Sequence, residues 1–179
     1  ASQRLLAIDL ASPLAPVPVP GESLLVADVV QSRLFARGGD LYRLGIGRVE
    51  RYDLPPGAPP VLSASATPAG VTMTDLEGSE GRLFVAARGQ GVRELLEGGG
   101  VFTLGPAPSP AHPVAGLFAL TESGGEHLWR AAGLSGAAEI GTTKSVSTSC
   151  LLRDVAVVAS DPTELLLLTS CGLEREVLP

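Results

Sequence analysis

Two cysteines, two histidines and a scatter of carboxylates are the residues on which chemistry could rest. Cys150 and Cys171 flank Ser160-Asp161-Pro162-Thr163, a short polar gap between two apolar runs, LLRDVAVVA and ELLLLTSC. Proline presets φ and aspartate bonds to its own backbone, so the gap reads as a tight turn and the runs as the arms of a hairpin. The cysteines lie about equally far from the turn and would face each other across its open end. Facing Cβ atoms there sit about 4.5–5.5 Å apart, within reach of a disulfide. Two buried thiols lying near one another are the alternative. A disulfide would place the protein outside the reducing cytoplasm.

His112 lies in the Pro-rich link PAHPV and His127 at a strand start in EHLWR. Neither has metal-ligand spacing to the cysteines, and no HExxH is present, so both read as solvated loop or strand-edge residues. Gly133-Leu134-Ser135-Gly136 lacks the second spacer of a nucleophile elbow. Gly45-Ile46-Gly47 and Gly89-Gln90-Gly91 lack the third glycine and the helix that a phosphate cradle needs. They recur at one place in successive repeats, as turns between strands would. Asp28, Asp75 and Asp154 each fall in the first strand of a repeat, at a point that could face a central channel. A ring of inward carboxylates could bind a cation or a sugar; otherwise each simply ends or caps a strand. No catalytic residue, metal site or cofactor is read from this inventory.

The elements that would position these residues are strands. The chain has 179 residues, 45% of them hydrophobic, enough for a buried core. No apolar run approaches the length of a membrane helix. Net charge is −6 and the cations, all arginine except Lys144, are scattered singly, so no basic face for nucleic acid is visible. The 22 glycines and 15 prolines punctuate the chain, and asparagine is absent, which removes any N-glycosylation acceptor.

The punctuation is periodic. Asp9 matches Asp53 and Val17 matches Val61, each 44 apart. Leu41-Tyr42, Leu83-Phe84, Leu128-Trp129 and Leu165-Leu166 follow at steps of 42, 45 and 37. For the clearest copy, strands are expected near 71–77, 82–88, 91–96 and 100–104. VRELLEGG is the nearest helix candidate, and Gly98-Gly99-Gly100 cuts it off. An all-β chain of short strands at this period predicts a β-propeller, or a partial one, of about four four-stranded antiparallel blades. The blades would span about 1–21 (partial), 22–69, 70–110, 111–147 and 148–179 (partial), within one domain over 1–179. Aromatic residues in the strands would pack between blades.

IDLASPLAPV at 8–17 and YDLPPGAPPV at 52–61 resemble the LVIVD-type bacterial propeller repeat, in which an Asp ends the third strand and a Pro-rich turn leads to the fourth. The resemblance covers about two units; 134–140 lacks the Asp, and Glu174-Arg175-Glu176 stands in its place in the last. It implies a propeller fold and a role as a cell-surface or secreted interaction module, with no catalytic residues to carry over.

The expected function is a non-enzymatic, extracytoplasmic binding or scaffold subunit in the periplasm, on the cell surface or secreted. Its expected partner is another chain, or a missing segment, that completes the ring. The alternative is part of a larger propeller enzyme, lactonase-like or quinoprotein-like, whose site is completed by residues outside this chain. Inward carboxylates converging on one metal would favour that alternative.

Overall fold

A computed structural model describes residues 3–9, 17–26, 33–45, 47–68, 70–79, 81–106, 116–122, 125–131, 133–160 and 163–178. All five sheets are antiparallel, and strands are joined in chain order. Sheet I holds β1 (Gln3–Asp9) and β2 (Val17–Val26). Sheet II holds β3 (Arg33–Arg37), β4 (Asp40–Gly45), β5 (Arg48–Asp53) and β6 (Val61–Ala66). Sheet III holds β7 (Met73–Ser79), β8 (Arg82–Ala87), β9 (Gly91–Gly98) and β10 (Val101–Leu104). Sheet IV holds β11 (Gly116–Glu122), β12 (Gly125–Ala131), β13 (Ala137–Glu139) and β14 (Ser145–Val146). Sheet V holds β15 (Leu152–Ser160), β16 (Thr163–Thr169) and β17 (Gly172–Val177). A single 3-10 turn, Gly133–Ser135, is the one helical element among the described residues.

The four strands expected of the clearest copy are β7 to β10, and VRELLEGG lies largely within β9, its apolar residues taken up by the ladder to β8. The 44-residue match also has a structural counterpart. Asp9 pairs with Val17 where the chain passes from β1 to β2, as Asp53 pairs with Val61 where it passes from β5 to β6. Leu41-Tyr42, Leu83-Phe84, Leu128-Trp129 and Leu165-Leu166 all fall in the second strand of their sheets. Sheet I reaches across the boundary expected at 21/22, because β2 runs on to Val26.

The chain forms two compact units, one of Ala1–Pro68 with Gly98–Phe102, the other of Ala69–Glu97 with Thr103–Pro179. In the first, Tyr42, Leu44, Val49 and Tyr52 are buried, and the Tyr42 ring lies 6.4 Å from that of Phe102. The Phe35 and Tyr42 rings, cross-strand partners, lie 6.1 Å apart.

In the second unit three sheets stack in chain order. Phe84, Ala86 and Val92 of sheet III form a cluster with Leu128 of β12 and Ile140 beyond β13. Trp129, on the other face of β12, joins Ala131, Ala137 and Val146 against Leu152, Leu165 and Leu167 of sheet V. Sheet IV is therefore covered on both faces. This is why its second strand reads as an apolar doublet rather than as alternation: successive side chains point to opposite faces, and both faces are dry. The first strands β7, β11 and β15 stand side by side, with β11 in the middle.

The link into β13 leaves no room for a side chain. Gly136 has φ +76°, and a Cβ built there would lie 2.0 Å from the carbonyl oxygen of Val146. Gly141 has φ +86° with open space around it. Gly141→Ala is expected to cost about 1 kcal/mol from backbone conformation alone. Gly136→Ala should cost clearly more, measured as the difference in urea midpoint. Equal losses would show that the close approach of Gly136 to β14 does not constrain the fold.

Candidate functional site

A cleft of about 300 Å³ among the described residues is lined by Ser79, Arg82 and Phe84 of sheet III, by His127 and Glu139 of sheet IV and by Ile140 just beyond it. Hairpin ends build it. Ser79 pairs with Arg82 across the turn from β7 to β8, and His127 sits near the start of β12. Arg82 lies over the Phe84 ring, 5.1 Å from its centroid, with Glu94 3.8 Å from the guanidinium. Ser79 is buried, its hydroxyl 3.5 Å from the Glu126 carbonyl oxygen.

Glu139 organises the polar end. It is 6% exposed, and each carboxylate oxygen has a partner: Oε1 meets His127 Nδ1, and Oε2 accepts from the Thr142 hydroxyl at 2.7 Å. Burial works to raise its pKa. The hydrogen bonds from Thr142 and His127, with the charges of His127 and Lys144, outweigh that effect and hold the carboxyl below its ordinary value. Glu139 therefore stays ionised and fixes the imidazole through Nδ1, leaving Nε2 as the ring atom outside this contact. A carboxylate-held imidazole can accept or donate a proton, or bind a polar ligand. The expectation of a solvated strand-edge His127 gives way here to a half-buried one, hydrogen-bonded to a buried carboxylate. Residues 127 and 139 stand on different strands, and neither lies in a recognisable motif.

A second buried polar cluster, in the other compact unit, is structural in character. Glu50 Oε2 accepts from Arg43 Nη1 at 2.6 Å and from the Tyr52 hydroxyl at 2.7 Å, while Arg48 Nε lies 2.9 Å from Oε1. Burial, then the hydrogen bond and charge of Glu50, push the Tyr52 phenol up to about 12 against the opposing effect of Arg43. Arg43, Glu50 and Tyr52 are all buried, so these groups serve one another rather than a ligand.

Asp75 and Asp154 occupy equivalent places. Each follows a register shift in the first strand of its sheet, and each accepts through Oδ1 from the backbone N–H of the next residue, at 3.0 Å for Leu76 and 2.9 Å for Val155. Gly116 holds the corresponding place in β11, paired with Ala131 as Asp75 is with Ala86. A Cβ there would lie 3.0 Å from Asp75 Oδ2, so the glycine makes space for the neighbouring carboxylate. Asp28 and His112 lie outside the described residues. Among the described residues no three His, Cys, Asp or Glu side chains are grouped to hold a metal.

Cys150 and Cys171 form a disulfide, with Cα atoms 5.9 Å apart. Cys150 precedes β15, Cys171 lies in the turn from β16 to β17, and the Ser170 N–H donates to the Leu151 carbonyl at 2.9 Å beside the bridge. The bridge thus closes the open end of the hairpin whose arms pair from Leu152–Thr169 to Ser160–Thr163; Asp161 and Pro162 themselves lie outside the described residues. Such a bond points to an oxidising, extracytoplasmic setting. Among the described residues no helix is long and apolar enough to cross a membrane.

No protein-family model matches the chain, and no curated protein matches it either.

Glu139→Gln keeps the shape but removes the charge that Thr142 and His127 satisfy. It is expected to cost about 2 kcal/mol near neutral pH, as for hydrogen bonds to a charged group. A depressed carboxyl contributes its stability above the unfolded-state value and loses it as pH falls through the folded one. The gap between parent and variant should therefore close on acidification below pH 4.5, the ordinary carboxyl value. Parallel stability curves down to the acid transition would show that Glu139 is not held ionised by these contacts.

Proposed function

We propose that this chain is a non-enzymatic, extracytoplasmic binding and scaffold module. Its sheets are read as blades of a β-propeller, or of an arc of about four, that offer loop ends and sheet faces to another protein chain. One observation carries the reading: sheets III, IV and V stack face on face in chain order with their first strands adjacent, the arrangement of successive blades. The matched turns at Asp9–Val17 and Asp53–Val61 support the likeness to the LVIVD-type repeat. The disulfide supports a periplasmic, cell-surface or secreted location.

A second reading draws on a different observation. The carboxylate-held imidazole in a 300 Å³ cleft has the make-up of a general base. In that case the chain is part of a larger propeller enzyme, lactonase-like or quinoprotein-like, and substrate-contacting groups come from residues outside it.

Material isolated from its native source without reductant separates the possibilities. The intact chain is expected to be about 2 Da lighter than after reduction, the two hydrogens lost on oxidation, and to co-migrate with a second polypeptide. Reactive thiols on a solitary folded chain would overturn the extracytoplasmic scaffold reading. Turnover of a lactone by the complex, abolished in Glu139→Gln, would favour the enzyme.

A further inference from the structure

Residues 147–151, between β14 and β15, belong to no strand, yet they are anchored at both ends. At the start they back onto Gly136: the Cβ that Gly136 lacks would lie 3.0 Å from Ser147 Cα and 3.0 Å from the Thr148 nitrogen. At the end Leu151 lies against the 3-10 turn, its Cδ1 3.2 Å from where a Gly133 Cβ would stand. The Thr148 hydroxyl donates to the Cys150 carbonyl at 2.7 Å, and the Ser149 hydroxyl to Glu174 Oε1 of β17 at 3.1 Å. Cys150 itself is bonded to Cys171 in the turn from β16 to β17. The segment is thus a strap, with the Gly133–Gly136 link of sheet IV on one side and sheet V on the other.

What the strap touches leads to the buried carboxylate. The Gly136 N–H donates to the Gly133 carbonyl at 3.3 Å, and β13 begins at the next residue, Ala137. β13 pairs with β14 through Ala137–Val146 and Ala138–Ser145, and the Glu139 N–H donates to the Lys144 carbonyl at 3.1 Å. Glu139 closes β13 and there meets His127. β14 is two residues long, so few ladder bonds hold it and its order depends on how its flanks are anchored. At the far flank the disulfide is the covalent anchor.

We propose that the Cys150–Cys171 bridge is a redox latch on the Glu139–His127 contact. Oxidised, it holds the strap against the 3-10 turn and so keeps β13 and Glu139 in place. Reduced by a dithiol, it releases the strap and loosens the contact. Cys171 is exposed, which admits an external thiolate. The incoming sulfur bonds to Cys171 and Cys150 leaves as a thiolate; the second sulfur of the reductant then displaces Cys171. Two electrons pass to the chain, two thiols form on protonation, and the dithiol becomes a disulfide. The latch stands on these contacts and on neither reading of what the cleft does.

Amide hydrogen exchange of the whole chain, with and without a dithiol, tests it. Reduction is expected to speed exchange about tenfold or more in residues 133–146 as well as in β16–β17. Cys150→Ser combined with Cys171→Ser should reproduce this without reductant. Leu151→Ala in the oxidised chain keeps the bridge but removes its contact with the 3-10 turn. That variant should exchange faster in residues 133–146 while β16–β17 stays protected. The His127 Nδ1 proton, held by Glu139, gives a second readout by nuclear magnetic resonance: present in the oxidised chain, lost to exchange in the reduced one. Faster exchange confined to residues 152–177 on reduction overturns the proposal, as does an oxidised Leu151→Ala chain that exchanges like the parent. Loss of protection across sheet III overturns it too, because the bridge then holds the whole unit rather than this end of it.

Discussion

The structure of the second unit depends on one constraint: an antiparallel sheet with two apolar faces must have another sheet on each side. Sheet IV meets it in full. Leu128 and Trp129 are neighbours in sequence, point to opposite faces, and each lies in the cluster of a different adjoining sheet. Burial of an aromatic as large as Trp129, which is 0% exposed, contributes several kcal/mol, as the usual cost of about 3–5 kcal/mol for its loss implies. Since only β12 carries both side chains, a shift of register by one residue would send each into the wrong neighbour. The apolar doublet therefore sets register as well as stability.

Dry faces also decide where charge can go. Glu139 and Glu50 are buried carboxylates near sheet ends, and each has both oxygens engaged. Leaving one partner out would strand a charge against apolar neighbours, a loss larger than the intact pair contributes. The two clusters differ in one respect with functional weight. Arg43, Glu50 and Tyr52 enclose one another, whereas His127 reaches an open cleft with a ring nitrogen to spare.

Local features of the sequence were enough for the strand pattern. Doublets at 41–42, 83–84, 128–129 and 165–166 mark second strands, and the Asp-to-Val connections mark the link between paired strands. The disulfide was legible because one tight turn fixes which residues face each other over a short distance. The His127–Glu139 contact was not. Its two strands are joined through the 3-10 turn Gly133–Ser135 and the crowded Gly136, and no rule of spacing gives the register across such a link. The stretch that looked like a failed nucleophile motif is the element that sets this register. Asp75 and Asp154 were placed in the right strands, but their side chains answer to bulges, which depend on pairing with the next strand and leave no mark on periodicity.

Sheet V shows how covalent chemistry and packing substitute for one another. It has three strands among the described residues, and sheet IV covers one of its faces, so it gains less from apolar burial than sheet IV does. Closing a loop with a sequence separation of 21 restricts the unfolded chain by about 3 kcal/mol, comparable to burying one or two leucine side chains. The bridge thus stands in a sheet with thinner apolar cover than sheet IV. It also ties local order to the redox state of the surroundings: without it, β16–β17 would open at a lower free energy than the sandwiched strands. The exposed Leu168 and Leu173 and the disulfide are then two consequences of the same shortage of cover.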